Sequence, residues 1–318
     1  MSLFKLRKWY FDVITDGGDV LYAYIVVYRL WGKRRALLSA HLVTADGRHI
    51  NESVTLPAPS LKNEDRIEIG SHRFQKGPAG IRLFLDLPGL RVDLVYAQAG
   101  DWHPNGKGVL LRQGRRTLGW EVPIFRAAVS GTLDAGGEKL DAGGTGYHDF
   151  VWTDIPPWRL PAKQLVWGRA HFPSASLVWN QLTTREGAVH QNILVKHDGW
   201  PAADRGGNGS VRPRPRWIDD YQFRLADPAA PGTTLLSHPA FSLSLEENRV
   251  LEESPVSTPD RIAWPPLRKT LDGLSGRPEE RKVVSEARLE MGGCVERGLA
   301  LHERVAWSWD RRAREAKP

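Results

Sequence analysis

The chain has one cysteine, Cys294, in 318 residues, so no intramolecular disulfide framework can hold it together. No CxxC or paired-ligand motif accompanies that thiol, which reads as a small buried apolar residue or an ordinary surface thiol. Such sparse cysteine usage fits a reducing, cytoplasmic compartment. Long apolar runs are also missing: the longest, residues 20–27, is too short to cross a bilayer as a helix. A soluble protein, or one peripheral to a membrane, is expected. The first ten residues carry bases but no apolar stretch of secretory length, so no signal peptide is expected. Amphipathic helical pattern is scarce. Its best candidate is about residues 278–289, whose Glu and Arg content suits a strand after a charged turn equally well.

Several reaction classes lose their usual motifs. There is no Gly-x-Ser-x-Gly elbow for a hydrolase, no Gly-x-x-x-x-Gly-Lys-Ser/Thr loop, and no strand-to-helix GxGxxG unit to cradle phosphate. His-x-His and HExxH are absent, and His148-Asp149 alone makes no metal site because adjacent strand residues diverge. Neither a metal nor another cofactor is expected. Lys and Arg (44) exceed Asp and Glu (37) by 7, a balance that attracts polyanions or anionic lipid surfaces. The bases are nevertheless interspersed with acids, and the densest runs, Lys33-Arg34-Arg35 and Arg112 to Arg116, fall where turns or strand ends are expected. Without a helix-turn-helix, zinc-finger or RNP pattern, no nucleic-acid partner is expected.

What the chain does have is strand texture. Residues 21–28, 36–43, 66–69, 80–87 and 90–96 are aromatic and β-branched with partial alternation. Turn signals separate them: Asp16-Gly17-Gly18, Asp46-Gly47, Pro88-Gly89, Asn105-Gly106 and Ala135-Gly136-Gly137. Short strands at this spacing indicate an antiparallel barrel or sandwich. Thr153-Asp-Ile-Pro-Pro-Trp-Arg-Leu-Pro161 is too proline-rich for a central strand and reads as an interdomain crossing. Strands resume at 165–172, 176–180 and 190–197. After a polar stretch at 201–215, read as a surface loop, they return at 219–225, 238–245 and 287–309. The expected domains are residues 1–155 and 156–318.

Gly144-Thr-Gly-Tyr-His-Asp-Phe-Val-Trp152 concentrates proton-handling side chains. In a strand, Tyr147 and Asp149 point one way with Val151, while His148, Phe150 and Trp152 point the other. A carboxyl beside a phenol in an apolar interior suits general acid chemistry, because desolvation raises its pKa. The plainer reading of Asp149 is a carboxylate bonded to backbone at a strand end. Tyr147 could orient that carboxyl, stabilise a developing cation through its ring, or simply fill a barrel.

The same run, with Trp167-Gly168-Arg169 after it, resembles the signature of the hydroxyneurosporene synthase (carotenoid 1,2-hydratase) and AttH-like superfamily. Lys8-Trp9-Tyr10-Phe11-Asp12 is similar to that family's opening aromatic strand, and Trp120-Glu-Val-Pro123 with Arg126-Ala-Ala-Val-Ser-Gly131 to the segment before the motif. The resemblance is sharp over about residues 118–170. It implies an all-β fold of two consecutive lipocalin-like antiparallel β-barrel domains. The family's hydratases and Diels-Alderase-type cyclases imply a lyase, cyclase or isomerase acting on an isoprenoid, carotenoid or polyketide-like substrate of secondary metabolism. Asp149 aligns with the acidic member of the hydratase motif. One departure stands out: the family's hydratases carry a histidine close to the tryptophan ahead of the motif, where this chain has Gly119-Trp120. That speaks against carotenoid hydration in particular and leaves a related cyclase, isomerase or other hydratase.

The catalytic candidates are therefore Asp149, Tyr147 and His148, the last expected to be a hydrogen-bonding residue at the domain interface or a second proton carrier. Trp120, Trp152, Trp167, Trp179 and Tyr24 are candidate walls of an apolar pocket near the domain junction, or fillers of the barrel cores. Arg169 either anchors a polar end of the substrate or pairs with an acid such as Asp154. The leading expectation is a cofactor-independent acid–base enzyme with a hydrophobic small-molecule substrate. The rival is a non-catalytic lipocalin-like carrier of an apolar ligand.

Overall fold

The computed structural model describes residues 3–61, 64–97, 108–197, 216–218, 222–224, 233–255 and 278–307. The stretch at 201–215, the Asn105-Gly106 turn and part of 219–225 lie outside the described residues. Two compact units divide the chain, Met1–Pro156 and Pro157–Pro318. Every strand pairing within them is antiparallel.

The first unit opens with β1 (Phe4–Thr15), β2 (Val20–Leu30), β3 (Lys33–Val43) and β4 (His49–Pro57). Four shorter strands follow: β5 (Arg66–Ile69), β6 (His72–Gly77), β7 (Gly80–Asp86) and β8 (Leu90–Ala97). The last four are β9 (Gly108–Gln113), β10 (Arg116–Ala135), β11 (Glu138–Asp141) and β12 (Gly144–Thr153). Their order is β4-β3-β2-β1-β12-β10-β8-β7-β6-β5, with β9 and β11 both on β10. Five strand spacings separate β1 from β6, about 24 Å in a flat sheet at about 4.8 Å each. Yet the Phe11 and Phe74 rings are 5.5 Å apart and Trp9 and Phe74 6.4 Å. The sheet must curl so that β1 and β6 face each other over one interior, into which Trp9, Phe11, Ala23, Ile25, Leu38 and Leu94 all pack.

The second unit contains β13 (Ala162–His171), β14 (Ala175–Thr184), β15 (Val189–His197), β16 (Arg216–Ile218) and β17 (Gln222–Arg224). It ends with β18 (Thr233–His238), β19 (Phe241–Pro255), β20 (Pro278–Met291) and β21 (Cys294–Trp307). Their order is β16-β15-β14-β13-β21-β20-β19-β18-β17. Leu236 of β18 and Trp179 of β14, five positions apart in that order, belong to one apolar cluster that runs along one face of the sheet. The fold is all-β, two lipocalin-like antiparallel barrels in succession. A single 3-10 turn, Pro157–Arg159, is the only helix among the described residues, and none of them forms a helix long and apolar enough to cross a membrane.

Two readings left open by the sequence are decided, and one strand boundary changes. Residues 278–289 form a strand, because their apolar positions alternate: Val283, Ser285, Ala287 and Leu289 are buried between more exposed neighbours from Glu286 onward. Residues 238–245 are not one strand; a turn at Pro239-Ala240 separates β18 from β19. Cys294 is exposed, at the start of β21.

Candidate active site

Two sequence features shape β12 and its neighbours before any chemistry begins. Gly144 and Gly146 face crowded surroundings: a Cβ on Gly146 would lie 2.5 Å from Val129 Cγ2 and 2.7 Å from the Asp12 carbonyl oxygen, and one on Gly144 2.3 Å from that of Ile14. Pro123 sits in the irregularity between Glu121 and Ile124, where three residues of β10 advance against two of β12. A bulge tolerates a residue with no N–H to give the ladder.

The alternation expected through the motif is present, and the register identifies which face is which. Phe150 and Ile124 belong to the barrel interior. His148, opposite Ile124, points there too. Tyr147 and Asp149 project from the other face of the sheet, where they are 0% and 4% exposed. Residues directly opposite on antiparallel strands share a face. Asp149 is therefore in one row with Tyr10, Tyr24 and Ser39, and Tyr147 in the next with Asp12, Tyr22 and His41.

Asp149 Oδ2 accepts two hydrogen bonds, from Trp120 Nε1 at 3.1 Å and from the Tyr147 hydroxyl at 3.0 Å. Among the described residues, none donates to Oδ1. The Tyr10 ring lies 5.3 Å from Tyr24 and 6.1 Å from Tyr147, and Tyr22 stacks on His41 at 4.6 Å. Lys8 Nζ stands 4.3 Å over the Tyr24 ring. Burial dominates the electrostatics and lifts the Asp149 pKa from 3.8 to about 7. The Trp120 and Tyr147 hydrogen bonds and the Lys8 charge pull it down, and the carboxylate of Asp12 pushes it up. Asp149 thus holds its proton near neutrality, with Oδ2 engaged and Oδ1 left to carry it.

His148 faces away from Asp149, as the alternation expects, and packs within the first barrel rather than at a domain interface. It lies inside the first barrel, stacked on Phe11 at 4.3 Å and 5° with Phe74 5.7 Å away. Its Nδ1 is 2.7 Å from the Tyr10 carbonyl oxygen; a carbonyl only accepts, so Nδ1–H donates. Burial lowers its pKa to about 3, which keeps the ring neutral.

The expected wall residues separate in the same way. Trp120 and Tyr24 share the Asp149 face. Trp152 is on the inner face, stacked on Phe150 at 5.5 Å and filling the space beside Gly119, where a Cβ would lie 2.2 Å from its ring. The histidine expected ahead of Trp120 has no room for that reason. Trp179 packs in the second barrel's core, its ring 2.3 Å from where a Gly168 Cβ would be. Trp167 and Arg169, 8% and 1% exposed, lie on the opposite face of β13 from Gly168. Asp154 accepts from the Thr117 backbone N–H at 2.7 Å. Within the first unit, tyrosines outnumber tryptophans around Asp149. Strand alternation within the motif does not single out Tyr10, Asp12, Tyr22 and His41 as site residues. Their signal was the alternation of Lys8, Tyr10 and Asp12, which acquires meaning only once β1 is known to pair with β12. No group of three or more His, Cys, Asp or Glu side chains among the described residues is arranged to hold a metal ion.

No family model matches the chain, and no curated protein does so at sequence level. Solved structures do match in fold. NE1406 of Nitrosomonas europaea, assigned as AttH, superposes with a TM-score of 0.64 at 12% identity, over 96% of this chain and 93% of that one. CghA matches with a TM-score of 0.64 at 13% identity, over 96% and 89%, and has also been solved with Sch210972. Kievitone hydratase from Nectria haematococca matches with a TM-score of 0.59 at 11% identity, over 95% and 90%. The fold is therefore the two-barrel fold that the motif resemblance implied.

Proposed function

We propose that the chain is an acid–base enzyme, working without a cofactor, that protonates an apolar isoprenoid or polyketide-like substrate and leads it to hydration or cyclisation. The buried Asp149, its pKa raised to about 7 and its carboxyl held by Trp120 and Tyr147, carries the reading. Its proton passes from Oδ1 to a substrate alkene carbon, leaving a carbocation and the Asp149 carboxylate. The carboxylate is met by donors already in place, Trp120 N–H and Tyr147 O–H, so charge develops where it is stabilised. The faces of Tyr10 and Tyr24 can meet the cation. If water captures it, the carboxylate recovers a proton from the resulting oxonium and the product is an alcohol. If an internal double bond captures it, a ring closes and the proton returns from an adjacent carbon. The match to kievitone hydratase supports the hydration branch at the level of fold.

The test begins with mass spectrometry of apolar material extracted from the purified protein, to identify a substrate. Turnover of that compound should be greatest below about pH 7 and fall above it, as the acid loses its proton. Asp149→Asn should lower turnover on the order of 10²- to 10⁴-fold with little change in binding. Unchanged turnover in that variant, or binding with no turnover in the wild type, refutes the reading and leaves a carrier.

A further inference from the structure

One end of the first barrel carries a pocket that the proton-transfer site does not use. It encloses about 180 Å³ between Lys5 and Arg7 of β1, Val27 and Arg29 of β2, Arg34 of β3 and the Pro59-Ser60-Leu61 segment after β4. The register explains the convergence. Lys5 is directly opposite Arg29, and Arg29 directly opposite Arg34. These positions continue the inward-facing series of Trp9, Val27 and Ala36, so three cations stand in one row at the barrel mouth. Like charges directly opposite destabilise a sheet. The lining carries four cations and no carboxylate; Glu64, outside it, bridges Arg7 at 3.1 Å. An anion seated over the row would offset the repulsion.

A second observation at the same edge distinguishes among anions. β2 and β3 are joined by two residues, Trp31 and Gly32, with φ of 47° and 79°. This is a primed hairpin turn, which favours Asn-Gly because both central residues adopt positive φ; a bulky aromatic there is strained. The side chain placed there at that cost is 55% exposed. Trp31 N–H donates to the Leu3 carbonyl at 3.1 Å, and Leu3 is itself 60% exposed. A free phosphate would need the cations only. Exposed tryptophan and leucine beside them is the composition of a membrane interface, where indole rings settle at headgroup level and Lys and Arg meet lipid phosphates.

We propose that this mouth docks on an anionic phospholipid bilayer, with headgroup phosphates over Lys5, Arg7, Arg29 and Arg34 and with Trp31 and Leu3 entering the interface. The net charge of +7 draws the chain toward such a surface at long range.

Co-sedimentation of the full chain with vesicles of phosphatidylcholine alone, or with about one-third phosphatidylglycerol, tests this. Binding should require phosphatidylglycerol and be reversed by high salt. Arg29→Gln with Arg34→Gln should weaken it roughly 25-fold, about fivefold per charge. Removing the same charge at Arg91 and Lys139, exposed at the opposite end of the sheet, should leave it unchanged. Trp31→Asn, better suited to the turn, should weaken vesicle binding while the melting temperature holds or rises. Equal binding to neutral vesicles, no binding to either, or full binding by Trp31→Asn overturns the proposal. So does binding of inorganic pyrophosphate that depends on Arg29 and Arg34 in a chain that ignores vesicles; that result marks a site for a soluble anion.

Discussion

Asp149→Asn keeps the shape of the side chain and removes its ionisation, so it isolates the energetics of one carboxyl. Burial raises that carboxyl from 3.8 to about 7. Between those values the unfolded chain has released the proton while the folded chain keeps it. Wild-type stability through this group therefore falls as pH rises from about 4 to about 7, and is level above that. About three pKa units correspond to at most about 4 kcal/mol. Two buried histidines act in the opposite direction: His148 is lowered to about 3 and His302 to about 4. From those values up to 6.5 the unfolded chain binds the additional protons, so their contribution to stability rises with pH. A wild-type curve mixes the two slopes, and subtracting the variant's curve cancels the histidines. Denaturant melts of both proteins from about pH 4 to pH 8 should show Asp149→Asn within about 1 kcal/mol of wild type at the acid end, since the neutral acid and the amide differ by roughly one hydrogen bond. Toward pH 8 the variant should gain by up to about 4 kcal/mol relative to wild type. A difference that stays flat with pH would mean that Asp149 ionises at an ordinary pKa in the folded state, and the general-acid argument would fail.

The neighbours of Asp149 should move that pKa in predictable directions. Trp120→Phe and Tyr147→Phe each remove a hydrogen bond that favours the carboxylate, so the upper limb of the pH–rate profile should shift to higher pH, more for Trp120, whose contribution is the larger. Asp12→Asn removes a neighbouring negative charge and should shift the limb down; a shift of the wrong sign in any of the three dismisses the assigned electrostatics. Gly119→Ala drives a methyl into the Trp152 ring and should destabilise the fold by on the order of 1–3 kcal/mol in a denaturant melt. Trp152→Phe added to it should recover part of that loss, and failure to do so would place the clash elsewhere.

Much of the fold is legible in the sequence, because turns and strand alternation are local properties. Asp16-Gly17-Gly18, Asp46-Gly47, Pro88-Gly89 and Gly136-Gly137 all fall between consecutive strands, since φ and hairpin geometry depend on a few adjacent residues. The sharing of one face by Tyr147 and Asp149, with His148 on the other, follows from the twofold period of a strand in the same way. Which face is the barrel interior is not a local property. Alternation specifies two sides, but their fates depend on the direction in which the sheet curls, and that is decided by strands as distant as β1 and β6. The tertiary structure alone therefore placed His148 among Phe11 and Phe74, filled the room beside Gly119 with Trp152, and put Trp179 in a core. It likewise brought Tyr10 and Asp12 beside Asp149 and Tyr147 through the pairing of β1 with β12, across more than a hundred residues of chain. The pKa of Asp149 has the same origin. Sequence supplies a carboxyl of ordinary acidity, and only the packing that removes water from around it makes that carboxyl a proton donor near neutrality.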